Sequence, residues 1–220
     1  MCSEDGRISF TEFNDELDDF VQKSKALGDH WEVRLESEYH QFGPGHDKAK
    51  YLVKHCFREV LANIVQVKDN CQDSKYDTLS STDKDDCEAV RDNSNNNYLK
   101  YEYHVTYSPS YGVPVLYFIT YTQDGCPLGL QDVWSAIPHV YQQRLQAERW
   151  TFLTQQEHPF LGKPFFQLHP CHTADMMKCI LMRASDESSL TTRRKTNYLV
   201  TWLSSVGPVV GLELPLAYGT

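Results

Sequence analysis

At 220 residues, 40% apolar and 12% aromatic, the chain can build one domain with a full core, which argues against global disorder. Twenty-one Lys and Arg against 30 Asp and Glu leave a net charge of −9, which disfavours general binding to nucleic acid or to anionic membranes. Seven widely spaced cysteines, no apolar leader after Met1 and no run long enough to span a bilayer predict a reduced, cytoplasmic protein without a disulfide framework.

The first element reads as a helix. Phe10, Phe13, Leu17, Phe20, Val21 and Leu27 recur on one face at the 3.6-residue period. Ser9 with Glu12 has the pattern of a capping box, and Gly28 stops the helix. Trp31, Val33 and Leu35 alternate with charged residues, which predicts a strand with one wet face. A Gly43-Pro44-Gly45 loop follows, then a strand over Leu52–Phe57. Residues 68–97 are rich in Asp, Asn, Ser, Thr and Lys, too polar to offset their ordering entropy by burial. They are expected to form a flexible polar insertion within a single domain spanning 1–220.

Leu99, Tyr101, Tyr103, Val105 and Tyr107 alternate with Lys100, Glu102, His104 and Thr106, the pattern of a strand with an apolar and a wet face. The turn Ser108-Pro109-Ser110-Tyr111-Gly112 joins it to a more apolar strand over Val113–Gln123, making a hairpin ended by Asp124-Gly125. Tyr111 stands out, because packing does not explain a large aromatic in a turn. Leu130, Val133, Trp134, Ile137 and Tyr141 predict an amphipathic helix interrupted at Pro138. After a loop holding His158-Pro159 comes a short apolar stretch, then Thr173 as the expected N-cap of a helix carrying Met176, Met177, Ile180 and Leu181. The Arg193-Arg194-Lys195 run is too small for a nucleic-acid patch and reads as a solvated loop. A last helix carries Tyr198, Leu199, Trp202, Leu203 and Val206 and must stop near Gly207-Pro208.

The stretch Phe165-Phe166-Gln167-Leu168-His169-Pro170-Cys171-His172-Thr173 holds the strongest chemical signal. It places a cysteine at the exit of a strand and before a helix, where orphan N–H groups stabilise both a thiolate and an oxyanion. Cys171 is therefore the candidate nucleophile, with His169 and the weaker His172 close by in sequence; an inert core cysteine is the alternative. A cysteine hydrolase would need a base histidine held by a third polar group, and no local signature of one surrounds Cys171. His169, Cys171, His172 and Cys179 match no common zinc spacing, so no metal is expected. His30-Trp31-Glu32 and Pro170-Cys171 imitate the two halves of a zinc deaminase motif, but Ala174 stands where its next cysteine is required. Cys126 and Cys179 read as structural.

His169-Pro170-Cys171 before a helix, followed by Tyr198-Leu199-Val200-Thr201-Trp202-Leu203, resembles the autophagy E2-like conjugating enzymes. Tyr101-Glu102-Tyr103-His104-Val105, Val113-Pro114-Val115-Leu116-Tyr117-Phe118, Thr154-Gln155-Gln156-Glu157-His158-Pro159 and Val206-Gly207-Pro208-Val209-Val210-Gly211-Leu212 carry the same resemblance. It covers 98–218 strongly, the first helix weakly and the 68–97 insertion not at all. The resemblance implies an α+β, E2-like fold, a central antiparallel sheet flanked by helices. It implies that Cys171 takes ubiquitin-like autophagy protein twelve from an E1-like activating enzyme as a thioester and passes it to a lysine of autophagy protein five, with no cofactor. His169 and Tyr111 would position that lysine, and the hairpin of residues 98–123 would dock the acceptor by strand addition. A typical E2 has His-Pro-Asn upstream of its cysteine, whereas here His-Pro runs straight into it, leaving the oxyanion donor open. A non-catalytic adaptor and a cysteine isopeptidase are the competing functions.

Overall fold

The computed structural model describes residues 5–36, 49–59, 98–145, 152–187 and 197–219. The expected 68–97 insertion, the Gly43-Pro44-Gly45 loop and the Arg193-Arg194-Lys195 run lie outside the described residues. Helix α1 (Phe10–Leu27) opens on the predicted capping box. Ser9 Oγ accepts the Glu12 N–H at 3.2 Å, and the Glu12 carboxylate accepts the Ser9 N–H at 3.1 Å. Gly28 closes the helix at φ 67°, a left-handed conformation glycine adopts without strain. Phe13, Leu17 and Phe20 are fully buried, but Leu27 is exposed, against expectation. The inward position of that turn belongs to Ser24, whose hydroxyl accepts the Trp31 N–H at 3.0 Å as the chain turns back.

Strands β1 (Glu32–Leu35), β2 (Lys50–Glu59), β3 (Tyr98–Ser108), β4 (Val113–Tyr121), β5 (Leu153–Glu157) and β6 (Pro164–Leu168) form one antiparallel sheet in the order β1-β2-β3-β4-β6-β5. With its helices this is an α+β arrangement consistent with the E2-like fold. Two expectations change. Val33 and Leu35 are both exposed, since β1 is a short strand that among the described residues pairs only with β2, and the buried residue is Trp31, set edge-to-face on Phe20 just before it. The β3–β4 hairpin lies at the centre of the sheet. β3 is hydrogen-bonded on one side to β2 and on the other to β4, so it offers no free edge for strand addition.

The inner face carries Leu52, Tyr103, Val105, Leu116, Phe118 and Phe166, packed against α1 and the later helices. The helical stretch after β4 breaks at Pro138 into α2 (Leu130–Ala136) and α3 (His139–Leu145), because proline cannot continue the hydrogen-bond ladder. Helix α4 spans Thr173–Glu187, and α5 spans Tyr198–Val206 before a 3₁₀ turn at Gly207–Val210. A buried carboxylate ties α5 to α1: Glu16 accepts the Tyr198 N–H at 2.7 Å, at the positive end of the helix. Asn197 caps α5 by accepting the Val200 N–H and donates to the Glu16 carbonyl.

The outer face is not wet where the alternation places water. His104 and Thr106 are 0% and 1% exposed. The β5–β6 loop folds back over them and brings His158, Phe160 and Leu161 against Tyr51, Tyr117 and Phe165.

Candidate active site

Strand β6 ends at Leu168, and the His169 N–H donates to the Phe152 carbonyl at 2.9 Å, which fixes the direction of exit. Pro170–His172 then form a single 3₁₀ turn that runs directly into α4. Thr173, the expected N-cap, has helical dihedrals of −65° and −45° and its N–H bonds back to the Pro170 carbonyl. The cap is His169, whose Nδ1 accepts the Cys171 N–H at 3.3 Å. Proline explains the shift: its fixed φ starts the turn and its missing N–H needs no partner, so winding begins a turn early.

Pro170 is buried while Cys171 and His172 are exposed, so the turn is anchored by its proline and presents its sulfur to solvent. An inert core cysteine would be buried, and this one is not. Because Nδ1 of His169 is an acceptor, its ring carries the proton on Nε2. That bond goes to the backbone of Cys171 rather than to its sulfur, which makes the imidazole a brace for the turn.

Tyr111 arrives from the far end of the hairpin. Its ring lies 5.8 Å from that of His169 at an 80° interplanar angle, an edge-to-face contact. The turn that carries it is pinned: the Gly112 N–H donates to Ser108, the Ile8 N–H to Gly112, and the Tyr107 hydroxyl to Ile8. Gly112 has φ 64° with the Arg7 side chain lying over it. The three residues singled out from sequence, Cys171, His169 and Tyr111, therefore meet at one edge of the fold. His172 points its share of the surface to the neighbouring groove, and Cys179 and Cys126 are exposed and free. Among the described residues no group of three or more His, Cys, Asp and Glu side chains is placed to hold a metal ion.

Sequence reasoning missed a second polar cluster. His158 Nδ1 accepts the Phe160 N–H at 3.2 Å, so its proton sits on Nε2, 3.0 Å from His104 Nδ1. His104 Nε2 then donates to the Glu102 carboxylate at 2.9 Å. The strand period put His104 on the wet face, and only the tertiary fold of the His158-Pro159 loop closes it in.

A family model for the autophagocytosis-associated protein, active-site domain, matches residues 12–217. The chain is 38% identical over 205 residues to the human ubiquitin-like-conjugating enzyme ATG10, covering 91% of this chain and 87% of that protein. It is 47% identical over 116 residues to the Arabidopsis thaliana protein of the same name, 53% of this chain and 51% of that one. The Dictyostelium discoideum counterpart is 37% identical over 119 residues, 52% of each. The match spans both the sheet and the His-Pro-Cys corner, and the chain belongs to this active-site-domain family of autophagy E2-like, ubiquitin-like-conjugating enzymes.

Proposed function

We propose that Cys171 accepts the C-terminal glycine of ubiquitin-like autophagy protein twelve from an E1-like activating enzyme, in the cytoplasm, and hands it to a lysine of autophagy protein five. In the first step the Cys171 thiolate attacks the thioester carbonyl on the activating enzyme, and that enzyme's thiolate leaves. In the second, the neutral lysine amine attacks the Cys171 thioester, forms the isopeptide bond and releases the Cys171 thiolate, the amine's proton passing to solvent. No cofactor enters either exchange, since the bond energy is already stored in the thioester.

The observation that carries the reading is an exposed cysteine on a turn anchored by its own buried proline, in the His-Pro-Cys stretch on which the family resemblance rests. The Tyr111 ring packs edge-to-face on His169, two residues before the cysteine, and the pair is suited to help hold an acceptor chain in near-attack geometry. Cys171→Ser should trap an oxyester to the modifier that survives reducing agent, and form no conjugate. Non-reducing electrophoresis of activating enzyme, modifier, ATP and this protein reads the outcome. Normal product formation by Cys171→Ser would sink the proposal, and a wild type that forms no thiol-sensitive adduct would leave an adaptor. Cleavage of a preformed conjugate by the protein alone would instead make it an isopeptidase.

A further inference from the structure

Ahead of α1, the segment Gly6-Arg7-Ile8 runs between the first turns of α4 and the hairpin turn that carries Tyr111. Gly6 is buried with φ 78°, and a Cβ there would collide with the Ala174 carbonyl and stand 2.6 Å from the Lys178 backbone nitrogen. Glycine is what lets this backbone lie so close to the helix that follows Cys171. The Gly6 carbonyl accepts the Tyr198 hydroxyl at 2.7 Å, which ties the same residue to α5. Two residues on, the Ile8 N–H donates to the Gly112 carbonyl at 2.9 Å, and the Ile8 carbonyl accepts the Tyr107 hydroxyl at 3.0 Å. The Ile8 side chain is buried in the main core.

Both ends of this strap are fixed, one on the helix that continues the cysteine turn and one on the turn that carries Tyr111. Three residues of extended chain reach about 10 Å at most, so the strap holds those two elements at a nearly constant separation. Tyr111 meets the cysteine turn through its ring contact with His169. A single edge-to-face contact lets a loop tip slide, whereas near-attack geometry is lost with displacements on the order of 1 Å. We propose that Gly6 and Ile8 are positioning residues for the transfer step, keeping the Tyr111 turn in register with Cys171 as the acceptor lysine arrives. They act on transfer and not on loading, because Tyr111 serves the acceptor. The inference rests on the proposed thioester at Cys171 and on that role of Tyr111.

The test measures three single-turnover rates: loading of Cys171 from charged activating enzyme, discharge of the thioester to autophagy protein five, and discharge to free hydroxylamine. Tyr107→Phe keeps the ring and removes the bond to Ile8. It should slow discharge to autophagy protein five roughly fivefold, about the worth of one hydrogen bond. Loading and hydroxylamine discharge should keep their wild-type rates, since neither needs Tyr111. Gly6→Ala, which forces the strap off α4, should show the same split more strongly. If Gly6→Ala fails to fold, as its thermal melt will tell, Tyr107→Phe decides alone. In a Tyr111→Ala background Tyr107→Phe should slow transfer no further, whereas a general loosening of the fold would add its own loss. That added loss, or strap variants that change all three rates alike or none, overturns the strap. Where Tyr111→Ala still slows transfer, such a result leaves the acceptor role of Tyr111 standing. A wild-type protein that never forms the thioester removes both.

Discussion

Buried imidazole is the acid-sensitive material of this molecule. His158 is 1% exposed. Burial first, and the neighbouring His104 second, push its pKa from the usual 6.5 down to about 3, with Glu102 opposing weakly. The Glu102 carboxyl is held below its ordinary value, chiefly by the hydrogen bond from His104. A histidine with a lowered folded pKa stays neutral while the unfolded chain gains a proton. Stability is therefore full above about pH 6.5 and falls as the pH drops from there toward 3, by at most about 1.4 kcal/mol per pH unit from this group. Urea midpoints between pH 7 and 5.5 should show the slope; His158→Gln should start lower at pH 7 and lose less on acidification. An equally steep loss in the variant would assign the titration elsewhere. At the site itself, Tyr111→Ala should slow transfer to the acceptor more than loading of Cys171, measured by single-turnover assays of each step. Equal slowing would show that the ring has no acceptor-specific part.

Elements were legible where local chemistry and tertiary packing agree. The α1 boundaries follow from Ser9, Glu12 and Gly28, all of which act at short range. Ser9→Ala should cost about 1 kcal/mol, seen as a lower melting temperature with the activity of Cys171 retained. The β3–β4 hairpin and the break at Pro138 were equally readable, from alternation and from proline. Strand β5 was missed because Leu153-Thr154-Gln155-Gln156-Glu157 buries only Leu153 and shows no apolar alternation. Thr173 obeys the statistics of N-caps, yet Pro170 winds the chain earlier and gives that work to His169. The hairpin of residues 98–123 was expected to dock the acceptor by strand addition, but which strands end up central depends on pairings between distant segments, and no window of residues encodes that.

Across the whole molecule α1, β2 and the 3₁₀ turn Leu216–Gly219 are tied together at Asp29. Its carboxylate pairs with Lys54 of β2 and accepts from Trp31 Nε1 at 3.1 Å and from the Tyr218 hydroxyl at 2.8 Å. Tyr218, in the final 3₁₀ turn Leu216–Gly219, stacks on Phe20 of α1 with 4.9 Å between ring centres. The Asp29 and Lys54 side chains are only 14% and 11% exposed. Asp29→Ala would thus strand a nearly buried cation, and should cost about 3–5 kcal/mol in a denaturant titration. Asp29→Asn, which keeps an acceptor for the two donors, should lose less. The same long-range closure explains what the sequence showed of the site. Cys171 and His169 are neighbours in the chain and could be read directly, and Tyr111 could be flagged but not placed. Trp202 reads as core, and at 2% exposure it is core. The chain of donors from the Phe160 amide through His158 and His104 to Glu102 has a spectroscopic consequence. Both rings are Nε2–H tautomers sealed under one loop, so two imidazole protons should stand far downfield in a proton NMR spectrum, away from the amide envelope. They can trade with deuterium only when the loop lifts, which makes their decay a clock for the breathing of the outer sheet.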